Sequence, residues 1–253
     1  MRYIIHALIL TFLSTIPGAF LHAQDKNETV FQTSTLSALM EGVYDGNTTF
    51  AELKKEGDFG LGTLNGLDGE MVGFGGAFYQ ITSDGKAHEI PDDALTPFAV
   101  VTFFEPDKTV AIDGPLGCGD LEKYILKQLP SDNIFYAIKI DGKFESVKTR
   151  SVPKQSEPFP LLAEVVKIQS VFELENVEGT IAGYWFPDYL SAVNAAGFHF
   201  HFLTADKKTG GHVLDCRAGK VKIGIDYNDD LQISLPKTEN FLDADLAGAA
   251  KEQ

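Results

Sequence analysis

The stretch Gly197-Phe198-His199-Phe200-His201-Phe202 alternates aromatic and histidine side chains with a period of two. Only an extended strand sends successive side chains to opposite faces in this way. Phe198, Phe200 and Phe202 then enter a core, and His199 and His201 stand side by side on the other face. The segment that follows, Asp206-Lys207-Lys208-Thr209-Gly210-Gly211, is polar and glycine-rich and reads as a loop between strands. A chain that turns back there sets His212 opposite His201, so three imidazoles converge. Three neutral nitrogens on a fixed face, with positions left open for water or substrate, suit a catalytic divalent metal: zinc (Zn2+), then copper, iron or nickel. The plainer alternative is three unrelated histidines on a wet sheet face. Against it, His199, His201 and His212 fall within fourteen residues of a chain that has six histidines. His88 lies beside a turn and reads as a surface residue.

Other catalytic patterns have no support. There is no Gly-x-Ser-x-Gly, no His-Glu-x-x-His and no Gly-x-Gly-x-x-Gly opening a helix. A cupin shares the His-x-His start but needs a glutamate soon after, and none occurs between His201 and Glu239. The charge balance, 21 Lys+Arg against 36 Asp+Glu, gives a formal net charge of −15, which repels phosphate backbones and argues against nucleic-acid partners.

Around the histidine segment the sequence predicts an α+β fold: two mixed β-sheet units with a few short helices. Thr49-Phe50-Ala51-Glu52 is a capping box, and the helix it opens should end at Gly57. Ser34–Gly42 reads as a short helix with Leu36, Leu39, Met40 and Val43 on one face. Asp120–Leu129 reads as a helix capped by Asp120. Ala163–Leu174, Thr180–Trp185, Val221–Tyr227 and Leu231–Leu235 read as strands. No regular strand–helix alternation is present, so a doubly wound parallel sheet is not expected. The motif Phe-Tyr-x-Ile-x-x-Asp-Gly-Lys occurs at 78–86 and again at 135–143. It predicts either a duplicated unit or two ordinary hairpins turning at Asp-Gly. The prolines at 153, 158 and 160 mark a linker, which divides the mature chain into an N-terminal domain at 24–155 and a metal-binding domain with tail at 156–253.

Residues 1–23 read as a secretory signal peptide. Arg2 precedes a run from Tyr3 to Gln24 without Asp, Glu, Lys or Arg, broken by Pro17 and Gly18, with a small residue at Ala23 before the cut. The alternative is a membrane anchor, for which the apolar core is short. An exported chain, periplasmic or extracellular, has no membrane contact after cleavage, and its Cys118 and Cys216 either pair or stay as separate buried thiols.

The sequence resembles the α-acetolactate decarboxylase family over nearly the whole mature chain, from Phe31-Gln32-Thr33-Ser34-Thr35 to Leu235. The resemblance is carried by Gly62-Thr63-Leu64-Asn65-Gly66-Leu67-Asp68-Gly69-Glu70-Met71, by Thr149-Arg150-Ser151-Val152-Pro153-Lys154-Gln155 and by the Phe/His alternation. It implies a zinc carboxy-lyase that converts acetolactate (2-hydroxy-2-methyl-3-oxobutanoate) to acetoin and CO2 through a metal-stabilised enediolate, and a homodimer. By the same resemblance His199, His201 and His212 are the metal ligands, and Glu70, Arg150 and Thr63 are active-site residues. A glutamate from the C-terminal tail is implied as well, Glu252 first and Glu239 otherwise. Two readings of another kind use the same histidines: an exported metal-binding module without turnover, and a zinc hydrolase or cupin-like enzyme.

Overall fold

The computed structural model describes residues 28–249. The predicted signal segment and Glu252 lie outside them. The described residues begin with β1 (Thr29–Thr33), α1 (Leu36–Met40), β2 (Thr48–Thr49) and α2 (Phe50–Glu56). It continues through β3 (Phe59–Gly62), β4 (Glu70–Phe74), β5 (Ala77–Ile81), β6 (Ala87–Glu89), β7 (Leu95–Thr96) and β8 (Ala99–Thr102). The long elements follow: β9 (Lys108–Gly117), α3 (Cys118–Leu126), β10 (Phe135–Ser151), α4 (Leu162–Val165), β11 (Ser170–Phe186), β12 (Gly197–Thr204) and β13 (Gly210–Asn228). Then β14 (Asp230–Ser234), α5 (Glu239–Asp243) and α6 (Leu246–Ala249) end the described residues.

Two large sheets organise most of these elements, as the α+β reading expects, and β2 and β7 pair as a separate two-stranded sheet. A seven-stranded mixed sheet runs β14-β1-β8-β3-β4-β5-β6, its β1–β14 pair parallel. A five-stranded sheet runs β10-β11-β12-β13-β9, antiparallel throughout, and β10 also pairs with β13, so the strands β10 to β13 close on themselves. The sheets do not partition at residue 155. The second sheet takes β9 and β10 from before that point, and the first takes β14 from after it. The proline-rich segment between is packed against the first sheet's turns: the Gln155 amide donates to the Gly66 carbonyl at 2.6 Å.

Side-chain parity along the long strands separates two cores. On β10, Tyr136, Ile138 and Ile140 point into the closed sheet with Phe200, Phe202 and Ile223, while Phe135 and Ala137 face the first sheet. On β12, Leu203 shares the histidines' parity and lies in the core between the sheets. A third cluster, with Phe50 and Leu53 of α2 against Phe78 and Val101, covers the first sheet's other face.

The local readings fare unevenly. The capping box at Thr49 and Glu52 is present, and α2 ends at Gly57. The Asp84-Gly85 turn connects β5 to β6, but Asp141-Gly142 lies inside β10, where Gly142 at φ 147° makes a bulge and not a hairpin. Partners on both sides of β10 keep the strand running through that dipeptide. Residues 162–168 are helical instead of extended, and α3 starts at Cys118, which puts Asp120 in its first turn and not at its cap. Cys118 and Cys216 are bonded to each other, joining the start of α3 to β13. Among the described residues no helix is long and apolar enough to cross a membrane.

Candidate metal centre and active site

Strand register assembles the site. Across β10, β13 and β12, Arg150 stands opposite His212, and His212 opposite His201. Directly paired residues share a face, so this row faces the first sheet. His199, two residues before His201, stands on the same face. Gly211 makes the row possible. Its backbone is at φ 131°, and a Cβ there would meet the Arg150 carbonyl. From the first sheet, β4 contributes Glu70 and the Met71 carbonyl.

The three imidazoles converge. His199 Nε2 lies 3.2 Å from His212 Nδ1, and His201 Nε2 lies 3.3 Å from the same atom. One ligand nitrogen from each falls within 4.8 Å of the others. Nitrogens bound to one tetrahedral zinc at about 2.0–2.1 Å stand roughly 3.3 Å apart. Tautomers support the same reading. His201 Nδ1 lies 2.7 Å from the Met71 carbonyl, which can only accept, so Nδ1 carries the proton and Nε2 presents a lone pair to the cluster. Burial holds all three rings neutral: His199 is lowered to about 4, first by desolvation and then by the Arg150 charge. Desolvation likewise takes His201 and His212 well below the usual imidazole range, with the neighbouring His199 second in each case. His199 Nε2 and His201 Nε2 both face His212 Nδ1, and a cation among them would take up the lone pairs of the neutral rings. His199 Nδ1 is buried with no hydrogen-bond partner. The donor set therefore fits a divalent metal.

Beside the rings, Glu70 Oε2 lies 3.4 Å from His201 Nε2, and Glu70 Oε1 lies 4.0 Å from an Arg150 guanidinium nitrogen. Glu70 is 7 % exposed. Its carboxyl is raised to about 7 by desolvation, against the opposing pull of Arg150. Thr63 lines the same cavity, but its hydroxyl is committed to the Gly69 carbonyl at 2.6 Å, so it holds the turn that delivers Glu70. Glu239 lies exposed in the first turn of α5 and does not line the cavity.

The cavity has a volume of about 190 Å³. One wall is polar: Thr63, Glu70, Arg150 and the three histidines. The other is apolar and includes Leu36, Leu39, Leu67, Phe98, Val152 and Phe198. The sequence marked Leu36 and Leu39 only as one helix face, which reads as ordinary core. No sequence signal marks the Met71 carbonyl, because any residue supplies one.

A half-open pocket with a tri-histidine cluster at one wall, and the buried Glu70 carboxyl near the half-buried Arg150 guanidinium beside it, defines an enzyme site for a small polar molecule. The profile of the alpha-acetolactate decarboxylase family matches residues 30–248. The chain is 49 % identical over 218 residues to the alpha-acetolactate decarboxylase of Methylococcus capsulatus, covering 86 % of this chain and 84 % of that one. It is 42 % identical over 217 residues to that of Bacillus subtilis, covering 86 % and 85 %. The crystal structure of the Bacillus subtilis enzyme superposes with a TM-score of 0.85 at 42 % identity, over 86 % of this chain and 93 % of that one. The protein belongs to the alpha-acetolactate decarboxylase family, a family of carboxy-lyases.

Proposed function

We propose that this protein decarboxylates 2-acetolactate to acetoin and CO2, with a zinc ion held by His199, His201 and His212. The observation that carries the reading is the convergence of three neutral imidazole nitrogens on one cavity that also holds Glu70 and Arg150. Three nitrogen donors and an open side suit zinc. When bound, the metal supplies a Lewis-acid charge that stabilises the electron density released as CO2 departs.

The chain's own residues account for the remaining requirements. The electron pair freed by loss of CO2 passes into the adjacent ketone, and the carbon that bore the carboxylate then takes up one proton. Glu70, with its carboxyl raised to about 7 by burial, holds a proton near neutral pH and can deliver it, to be refilled from water. Arg150 serves to pair with substrate oxygens and to orient Glu70, because a guanidinium is too weak an acid to donate. The apolar wall receives the substrate's methyl groups and keeps bulk water from the reacting carbon.

The test is purified mature protein given racemic acetolactate, stripped of metal by a chelator and then given zinc back, and followed for acetoin. Acetoin lost with the metal and restored by zinc supports the reading. Bound zinc without acetoin sinks it. We also propose that residues 1–23 direct export, a reading supported by the charge-free apolar start and by the Cys118–Cys216 bond, which suits an oxidising compartment. An intact Met1 on protein from the native compartment overturns it. A homodimer is the assembly the family resemblance suggests, and sedimentation equilibrium decides it.

A further inference from the structure

Gln32 and Asn194 take no part in the chemistry above, yet they are 0 % and 1 % exposed. Burying primary amides is unfavourable unless their donors and acceptors are met. Here they are. Gln32 Nε2 donates to the Ser34 and Val193 carbonyls at 2.8 and 2.7 Å, and Gln32 Oε1 accepts from Asn194 Nδ2 at 2.7 Å. Asn194 Oδ1 accepts from the Ala195 amide at 2.7 Å. The loop before Asn194 also serves the start of α1. The Leu36 amide donates to the Val193 carbonyl at 2.9 Å, and the Ser37 amide and hydroxyl donate to the Ala192 carbonyl at 3.3 and 2.8 Å. These are first-turn donors that a helix cannot satisfy internally. Ser34, leading into α1, sits at φ 63°, in the left-handed region that non-glycine residues avoid.

The network has one destination. Leu36 and Leu39 on α1, and Ala195 and Phe198 just after Asn194, all line the catalytic cavity. A helix of five residues does not hold its own position by backbone bonds alone. The Gln32–Asn194 pair ties it, through β1, to the loop that enters the histidine strand.

We propose that Gln32 and Asn194 are positioning residues that set the width of the apolar wall, and so limit the size of the alkyl group accepted on the hydroxyl-bearing carbon. The substrate in this statement rests on the decarboxylase reading; the wall does not. The deciding experiment is calorimetric binding of two probes, 2-hydroxy-2-methylpropanoate and 2-ethyl-2-hydroxybutanoate, to the zinc-loaded protein. Wild type, Asn194→Ala, the milder Ser37→Ala and the direct wall change Leu39→Ala are compared. A pocket built around methyl groups discriminates against each added methylene by about tenfold or more, and the second probe carries two more methylenes than the first. Asn194→Ala and Leu39→Ala should shrink that ratio severalfold with zinc content kept, and Ser37→Ala should shift it the same way by less. If Asn194→Ala does not fold, Ser37→Ala and Leu39→Ala still decide. Equal weakening of both probes, or an unchanged ratio in Ser37→Ala and Asn194→Ala, overturns the proposal, as does loss of zinc in those two. Turnover of acetolactate and of its homologue carrying ethyl in place of the hydroxyl-bearing carbon's methyl is measured alongside. Wild-type protein that binds the probes selectively but forms no acetoin overturns the decarboxylase reading and leaves the wall standing.

Discussion

Two adjacent residues of β4 address opposite sides of one ring. The Met71 carbonyl accepts a hydrogen bond from His201 Nδ1, and the Glu70 carboxyl lies by Nε2. The first contact fixes the tautomer that leaves Nε2 free for a metal. The second places an acid beside the substrate cavity. The roles separate under mutation. His201→Ala should reduce bound zinc to near zero, read by atomic absorption after dialysis, and abolish acetoin formation with it. Glu70→Gln should keep the zinc and lose turnover by roughly 10²–10⁴-fold. Glu70→Gln protein with full activity would remove Glu70 from the chemistry. The ring pattern that places His199 and His201 was legible at this scale, because period two is a local property. That Thr63 spends its hydroxyl on the Gly69 carbonyl was not, since the partner is set by how a turn folds back.

Elements carry the next set of constraints. The histidine row depends on β13 approaching β10 closely at Gly211. Gly211→Ala should destabilise the fold by about 1–3 kcal/mol, because it forces a side chain into a left-handed backbone and against the Arg150 carbonyl. It should also weaken zinc binding, since His212 is the next residue. Thermal melts and a competitive zinc titration read the two effects, and unchanged zinc affinity would show that the row tolerates a shift. At the other extreme, Thr49→Ala removes one half of the capping box of α2 and should cost about 1 kcal/mol without touching zinc affinity. That helix was readable because its start and stop signals lie within eight residues of each other. The Asp-Gly at 141–142 was misread as a turn because the same dipeptide serves a hairpin or a bulge, and the flanking strands β11 and β13 decide which.

At the scale of the molecule, Cys118–Cys216 closes a loop between residues 98 apart in sequence. In the chain-entropy view a bond across about a hundred residues contributes about 4–5 kcal/mol by restricting the unfolded chain. Cys118→Ser with Cys216→Ser should therefore lower the melting temperature by roughly 10 °C or more, given about 2–4 °C per kcal/mol at this size. Zinc content should persist, because the bond joins α3 to the closed sheet's core and the histidines face the other sheet. Loss of zinc from this double variant would show that the two cores are coupled. The cavity is likewise a property of the whole: its polar wall joins β4, β10, β12 and β13, and its apolar wall brings in α1 from near the start of the described chain.

The sequence by itself determined the elements that local periodicity and capping specify: the Phe/His strand, the return to His212, the capping box and the shape of a sheet-rich α+β chain. Through its motifs it also determined the family. The tertiary structure alone decided three things: the ladder that sets Arg150 beside His212, the burial that lifts Glu70 to about 7, and the pairing of the cysteines. The physical reason is range. Side-chain direction along a strand follows from the residue's own backbone, whereas desolvation, register and disulfide pairing depend on segments that only the closed sheet and its partner bring together.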